Sequence, residues 1–161
     1  MTVFVNAPDW EATVKQVAKA YYKLVLIVGP TASGKTALLK EAAYYNFSFL
    51  NLGEEFSRRL LSRPAYLRAA EAEEAAIELV DQVGGARMAI DNTEALFEPP
   101  IQLNPLALLK RISIHRTVVA TWNGQFDNHR LIYGFKGHPA YREVKYTKED
   151  SFIIVPSDPT A

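Results

Sequence analysis

Cysteine does not occur anywhere in the 161-residue sequence. Its absence excludes disulfide bonds and metal sites built from thiolates, and it is what we expect of a protein from a reducing compartment. The first residues, MTVFVNAPDWE, lack the basic and apolar segments of a secretory signal. No apolar run approaches the roughly 20 residues that a membrane helix needs. The sequence therefore predicts a cytoplasmic protein with no membrane partner.

Net charge is also lacking, because 18 lysine and arginine residues balance 18 aspartate and glutamate residues. A neutral total gives no general attraction to nucleic acid, so contact with DNA would need a local basic patch. Hydrophobic residues make up 48% of the chain and charged residues 22%, values that are ordinary for a folded protein. Without repeats or low-complexity linkers, we expect residues 1–161 to form a single domain.

Helical and strand patterns alternate along the chain. In residues 1–22, Trp10, Val14, Val17 and Tyr21 recur at helical spacing, which predicts an N-terminal helix that packs on the core. Further helical patterns cover residues 35–45, 54–83 with an interruption near Pro64, and 105–116. Strands are predicted over residues 23–28, 47–52, 86–91 and 117–122, and then in LIYGF and SFIIV.

This alternation indicates βαβ units, and therefore a mainly parallel sheet with helices on both faces. We predict an α/β, three-layer α/β/α fold of the P-loop NTPase type. The expected strand order is 5-1-4-3-2, which separates the strand at residues 23–28 from the strand at residues 86–91. The core is expected to be AAA-like but to have no C-terminal helical lid, so that a neighbouring subunit or a different protein would complete a nucleotide site.

The segment GPTASGKT, from Gly29 to Thr36, fits G-x-x-x-x-G-K-[ST] at every fixed position. Such a loop gathers backbone amides around phosphate oxygens at a helix N-terminus, while Lys35 reaches the β- and γ-phosphates and Thr36 binds Mg²⁺. The alternative is a chance glycine-rich turn, but an apolar run before it and helix formers after it favour a nucleotide site. The predicted ATP-binding residues are Gly29, Pro30, Thr31, Ala32, Ser33, Gly34, Lys35, Thr36 and Ala37.

Two acidic residues follow the predicted strand ARMAI. Asp91 ends that strand, where P-loop NTPases hold Mg²⁺, although it could instead cap the next turn. Many P-loop ATPases place a glutamate directly after this aspartate, but here the position is Asn92. Glu94 is therefore the candidate for activating water, and the alternative is a helix-start glutamate favoured by the helix dipole. Asn92 leaves open an ATP-binding switch with slow turnover.

Asn123 follows the predicted strand TVVATW. This strand is similar to the sensor strand of AAA-type ATPases, whose terminal polar residue touches the γ-phosphate or the attacking water. Thr121 is also polar, but Asn123 fits that role best. Because Asn-Gly is itself a strong turn signal, an ordinary turn is the alternative interpretation.

Two groups of arginines are candidates for functional roles. The cluster after the second strand could face phosphates, as in small-molecule kinases, or nucleic acid, or it could form an exposed face paired with neighbouring acids. Other arginines are candidates for a residue supplied in trans to stabilise transferred charge. The cluster consists of Arg58, Arg59, Arg63 and Arg68, and the trans candidates are Arg111, Arg116, Arg130 and Arg142.

Four segments together form a pattern that is more specific to one family than the phosphate loop alone. They are GPTASGKTALL, IDNTEALFEPPIQLNPLALLKRIS, RTVVATWNG and LIYGFKGHPAYRE. Through them the chain resembles the BrxF family of small P-loop proteins from type III BREX (bacteriophage exclusion) systems. The resemblance implies an ATPase acting beside a methyltransferase, a phosphatase-like protein and larger ATPases in a complex that blocks phage DNA replication. It also implies Lys35, Thr36, Asp91 and Glu94 as site residues.

The function expected from the sequence is Mg²⁺-dependent ATP binding, with hydrolysis or an ATP-driven switch, in a bacterial anti-phage system. The catalytic candidates are Lys35, Asp91, Glu94 and Asn123, and the candidate Mg²⁺ ligands are Thr36 and Asp91. ATP binding is expected to promote a homo-oligomer, and BREX proteins are the expected partners. The alternatives are a small-molecule kinase, in which Arg58 or Arg59 binds the acceptor, and an adaptor that binds ATP without hydrolysing it.

Overall fold

The computed structural model describes residues 3–4, 8–101, 103–127, 129–134, 136–147, 150 and 152–157. Its strands are β1 Val3–Phe4, β2 Leu24–Gly29, β3 Ser48–Asn51, β4 Arg87–Asp91, β5 Thr117–Phe126, β6 Arg130–Tyr133, β7 Arg142–Lys145 and β8 Ile153–Pro156. Its α-helices are α1 Trp10–Val17, α2 Lys35–Ala43, α3 Leu52–Leu61, α4 Arg68–Val83 and α5 Pro105–Ile112, and 3₁₀ turns cover Ala65–Leu67, Thr93–Phe97 and Pro99–Ile101. Within these ranges no helix has both the length and the apolar character needed to cross a membrane.

Strand β2 lies at the centre of the hydrophobic core, and all six of its residues are buried. Its side chains alternate between the two faces of the sheet, as the period of a β-strand requires. Leu24, Leu26 and Val28 pack in a cluster with α3, α4 and α5. Val25 and Ile27 pack in a second cluster with α1 and α2. Helices therefore cover both faces, and the α/β class with a mostly parallel sheet is confirmed.

The parallel strands lie side by side in the order β1-β8-β2-β5-β4-β3. Strand β5 separates β2 from β4, and Ala120 in β5 pairs with Leu26 on one side and with Ile90 on the other. Because the three strands are parallel and in this register, their carboxyl ends open at one edge of the sheet. The loop after Gly29, the side chain of Asp91 and the polar end of β5 meet at that edge.

Strand β5 continues past this edge and forms an antiparallel extension with β6 and β7. The contact begins at Gly124, whose φ of 157° and close packing suit only glycine, because a Cβ there would lie 1.8 Å from the backbone oxygen of Ile132. The sequence predicts a strand in LIYGF, and β6 occupies its first part, while Phe135 lies outside the described residues. The β5–β6–β7 extension borders the candidate site.

The predicted N-terminal helix is shorter than expected. Helix α1 ends at Val17, with Ala18 as its C-terminal cap, and residues 5–7 lie outside the described part of the chain. Trp10, Val14 and Val17 are buried as expected, but Tyr21 is 65% exposed. The prediction for Tyr21 was wrong because the chain leaves the helix to enter the sheet, where the Lys23 backbone nitrogen donates to Ser113 and its oxygen accepts from Val118.

Candidate functional site

The phosphate-loop segment connects the buried end of β2 to the first turn of α2. Gly34 is the N-terminal cap of α2 and has a φ of 90°, a left-handed conformation that glycine adopts without steric cost. Ala32 is also left-handed, with a φ of 60°, which is uncommon for a residue with a side chain. At Gly29 a Cβ would lie 2.6 Å from the Ser33 hydroxyl oxygen, so a side chain there would obstruct the loop. Ala37 lies in the first turn of α2.

Lys35 is buried, with a relative exposure of 6%, although it carries an ammonium group. Its Nζ donates to the backbone oxygen of Pro30 at 2.5 Å, so the side chain crosses the mouth of the loop. Burial lowers the pKa of Lys35, while the negative charges of Glu94 and Asp91 oppose that shift. A buried cation with a backbone carbonyl as its hydrogen-bond acceptor is well suited to an incoming phosphate oxygen.

Asp91 lies at the end of β4 and is 6% exposed. Its Oδ2 accepts a hydrogen bond from Thr36 Oγ1 at 2.9 Å, so the two predicted Mg²⁺ ligands are in direct contact. Its Oδ1 accepts from Thr121 Oγ1 at 3.1 Å and from the backbone nitrogen of Asn92 at 2.8 Å. The carboxylate is therefore fixed in one orientation by three donors.

Thr121 is a site residue that the sequence reasoning set aside in favour of Asn123. It is 2% exposed, and it links β5 to Asp91 through its hydroxyl. Its backbone oxygen accepts a hydrogen bond from Thr93 Oγ1 at 2.6 Å, which fixes the turn that follows β4. The signal that could have identified it is the register of neighbouring parallel strands, because Ile90 pairs with Ala120 and the next residues are Asp91 and Thr121.

Glu94 and Asn123 come together at the same edge. Glu94 lies in the 3₁₀ turn Thr93–Phe97, not at the start of an α-helix, and Asn92 enters that turn in a left-handed conformation with a φ of 55°. The Asn123 side-chain amide donates a hydrogen bond to Glu94 Oε1. The two residues are 29 positions apart in the sequence, and their contact places both candidates for water activation on one wall.

These groups enclose a cleft of about 300 Å³, lined by residues 31–36 together with Asp91, Asn92, Glu94 and Asn123. Its donor set suits a nucleotide with Mg²⁺, because the Thr36 hydroxyl and the Asp91 carboxylate are oxygen ligands and Lys35 supplies a buried positive charge. In the described part of the chain no group of three or more His, Asp or Glu side chains could hold a metal ion unaided. Mg²⁺ at this site would therefore complete its shell with water and phosphate oxygens.

The arginine cluster after β3 contacts acidic side chains and backbone oxygens away from this cleft. Arg58 contacts Glu54 at 3.0 Å and Glu55 at 3.2 Å. Arg59 and Arg63 both contact Glu78, at 3.3 Å and 3.0 Å. Arg68 donates to the backbone oxygens of Leu60 and Arg63. These contacts favour the structural interpretation of the cluster.

The arginines weighed as trans-acting residues also have partners within the chain. Arg111 contacts Glu73, Arg116 contacts Asp81, Arg130 contacts Asp127 and Glu143, and Arg142 donates to the Leu103 backbone oxygen. The most exposed of the pairs is Arg111–Glu73, with side chains 63% and 47% exposed, and exposed pairs contribute little to stability. Arg111 could therefore leave its partner at small cost.

Comparison of the chain with protein-family models, with curated proteins and with solved structures found no match. The assignment of function therefore depends on the site and on the patterns in the sequence.

Proposed function

We propose that this chain is a P-loop NTPase that binds ATP with Mg²⁺ and hydrolyses it. The observation that carries the proposal is the hydrogen bond between Thr36, at the start of α2, and Asp91, at the end of β4. This bond connects helix α2, which follows the phosphate loop, to the carboxylate at the end of β4. Strand β5 lies between β2 and β4, and the buried Lys35 precedes Thr36 in α2. In the sheet, β5 lies between the phosphate-loop strand β2 and the Asp91 strand β4, and this separation supports the proposal of an AAA-like core.

Phosphate binding is assigned to the loop backbone and to Lys35. The amide groups at the N-terminus of α2 provide partial positive charge, and Lys35 exchanges its bond to the Pro30 oxygen for bonds to phosphate oxygens. Mg²⁺, when bound, neutralises charge on the β- and γ-phosphates. Thr36 is assigned as a ligand of the ion, and Asp91 as a ligand either directly or through water.

The nucleoside is assigned to a cavity on the other side of the loop. This cavity has a volume of about 360 Å³ and is lined by Ser33 and Gly34 of the loop and by Pro8, Leu38 and Pro156. Two prolines and a leucine offer apolar surface of the kind on which a planar base packs. The cavity therefore has room for more of the ligand than its phosphates.

Water activation is assigned to Glu94. Its carboxylate lines the cleft and is oriented by the amide of Asn123. In the proposed step Glu94 accepts a proton from water, the water oxygen forms a bond to the γ-phosphorus, and the bond to the leaving ADP oxygen breaks. Asn123 acts as a positioning residue for the base.

A second candidate, an ATP-binding switch with slow turnover, is favoured by Asn92. The residue directly after Asp91 is an amide, and its Nδ2 donates to Asn51 Oδ1 at 2.9 Å instead of serving as a base. In such a switch the terminal phosphate biases the Thr93–Phe97 turn and the end of β5 between two arrangements. The switch and the ATPase use the same cleft and differ in the rate of hydrolysis.

On the basis of the resemblance to the BrxF family, we further propose a cytoplasmic role in anti-phage defence, with BREX proteins as partners and assembly promoted by ATP. The rival kinase function is less well supported, because Arg58 and Arg59 are occupied by acidic partners.

The proposed ATPase should release phosphate from ATP with no added acceptor. The expected result is a linear, Mg²⁺-dependent release of phosphate that stops when the metal is chelated, because Thr36 and Asp91 act through the ion. A phosphate-release assay on the purified chain, with and without EDTA, measures this. Turnover that begins only after a metabolite is added would favour the kinase, and bound ATP without turnover would favour the switch.

A further inference from the structure

A second cavity adjoins the cleft on the side of the β5–β6–β7 extension. It has a volume of about 570 Å³, within the range of small-molecule sites. Pro30 and Thr31 line it from the loop, and Gln125 and Tyr133 line it from the extension. It shares Thr31, Glu94 and Asn123 with the cleft, so the Glu94 carboxylate belongs to both walls. The proposed hydrolysis of ATP gives this second space no role.

The charge of the lining argues against an anionic occupant. Within the described part of the chain, the lining contains Glu94 but neither lysine nor arginine. Burial raises the pKa of the Tyr133 phenol, and the negative charges of Glu94 and Glu98 raise it further. His138 also lines the cavity, and Lys35, whose charge interacts with Glu94, lines the adjoining cleft and not this cavity. The carboxylate of Glu94 is the acidic group in the lining, and it favours a positively charged ligand over a phosphate or carboxylate.

The aromatic wall of the cavity is held rigidly. The Tyr133 ring stacks on Phe97 with centroids 3.8 Å apart and an interplanar angle of 8°. Phe97 is fully buried and packs edge-to-face against Trp122, with centroids 4.9 Å apart. Tyr133 remains only partly buried and lines the cavity, so part of a fixed ring is available to a ligand. Such a ring attracts cations and packs against apolar groups.

We propose that this cavity binds an organic cation when the chain holds no nucleotide, with a guanidinium or primary ammonium group at the Glu94 carboxylate and an apolar body against Tyr133. The carboxylate accepts charge-assisted hydrogen bonds from the cation, and the Gln125 amide oxygen is a further acceptor at the cavity wall. The volume of about 570 Å³ exceeds what a bare metal ion or water needs, and it accommodates a ligand with several carbon atoms.

The test uses butylguanidinium and its uncharged counterpart butylurea as probes, with binding followed by ligand-detected NMR on the full chain without nucleotide. Butylguanidinium should bind at least about tenfold more tightly than butylurea, a difference of about 1.4 kcal/mol. Gln125→Lys, on an exposed residue, places a like charge in the cavity and should weaken butylguanidinium binding about tenfold. The matched control is Gln16→Lys, the same change on an exposed position of α1, which should leave binding unchanged.

Equal binding of the two probes, absence of binding, or equal behaviour of the two lysine variants would overturn the cation site. Mg-ATP binding is measured on the same preparation, so a failure of this inference and a failure of the proposed ATPase are separately visible. Sedimentation at rising protein concentration identifies the source of the cation. Association that butylguanidinium disrupts indicates a basic side chain of a second copy, and a monomer that still binds the probe indicates a free small molecule.

Discussion

Glu94→Gln is expected to lower the rate of ATP hydrolysis by roughly 100-fold to 10,000-fold, the usual contribution of a general base. The substitution keeps the size of the side chain and leaves an amide oxygen that can still accept the hydrogen bond from Asn123. It removes only the ability to take a proton from water. Mg-ATP binding should therefore change by less than about threefold, because Lys35, Thr36 and the loop backbone are untouched. Single-turnover hydrolysis and nucleotide titration measure the two quantities separately.

The matched control for this variant is Glu74→Gln, the same change at an exposed position of α4 remote from the cleft. It should leave both hydrolysis and binding unchanged. If Glu94→Gln hydrolyses ATP as fast as the unmodified chain, Glu94 is not the base. Measurable activity that no change at Glu94 affects would support the adaptor, with the trace of hydrolysis arising elsewhere.

Lys35→Ala is expected to weaken Mg-ATP binding by about 100-fold, corresponding to about 2.7 kcal/mol. Among the described residues, Lys35 is the one lysine or arginine that lines the cleft. Its Nζ donates a hydrogen bond to the Pro30 oxygen, so the side chain reaches across the loop. The variant should nevertheless remain folded without nucleotide, because burial disfavours the charged form of Lys35 and lowers its pKa. Isothermal titration calorimetry measures the affinity, and thermal unfolding without nucleotide measures the stability.

Lys40→Ala provides the control for this experiment, since Lys40 is an exposed lysine on the same helix, α2. It should bind Mg-ATP like the unmodified chain. If Lys35→Ala keeps its affinity within about threefold, the phosphates bind elsewhere and the assignment of the loop is wrong. Loss of the folded state in Lys35→Ala would contradict the account of Lys35 as a residue whose burial serves ligand binding.

Local patterns in the sequence identify the parts of the site that depend on short stretches of chain. In the loop from Gly29 to Thr36, the fixed glycine Gly34 has a left-handed backbone with a φ of 90°, which glycine adopts without steric cost. The apolar run of β2 predicts a strand buried on both faces, because no alternation of polar residues gives it a solvent side. These features follow from backbone sterics and burial within a few residues.

Features that depend on which strands are neighbours were harder to predict. Thr121 contacts Asp91 because β4 and β5 are adjacent and in register, and nothing within either strand specifies that register. Tyr21 keeps the helical spacing of Trp10 and Val17 but lies beyond the end of α1, because the backbone of Lys23 forms hydrogen bonds with Ser113 and Val118 and enters the sheet. The cavity proposed for the organic cation likewise forms only when the β5–β6–β7 extension folds back beside the phosphate loop.

The direct test of the central claim is the binding of Mg-ATP to the purified, unmodified chain, measured by isothermal titration calorimetry with and without EDTA. The account predicts a dissociation constant below about 1 mM, stronger than about −4 kcal/mol, that weakens when the metal is removed. Failure of the chain to retain any magnesium-bound purine triphosphate at millimolar concentration would contradict it, because the loop, Lys35 and the Thr36–Asp91 pair would then have no phosphate to hold.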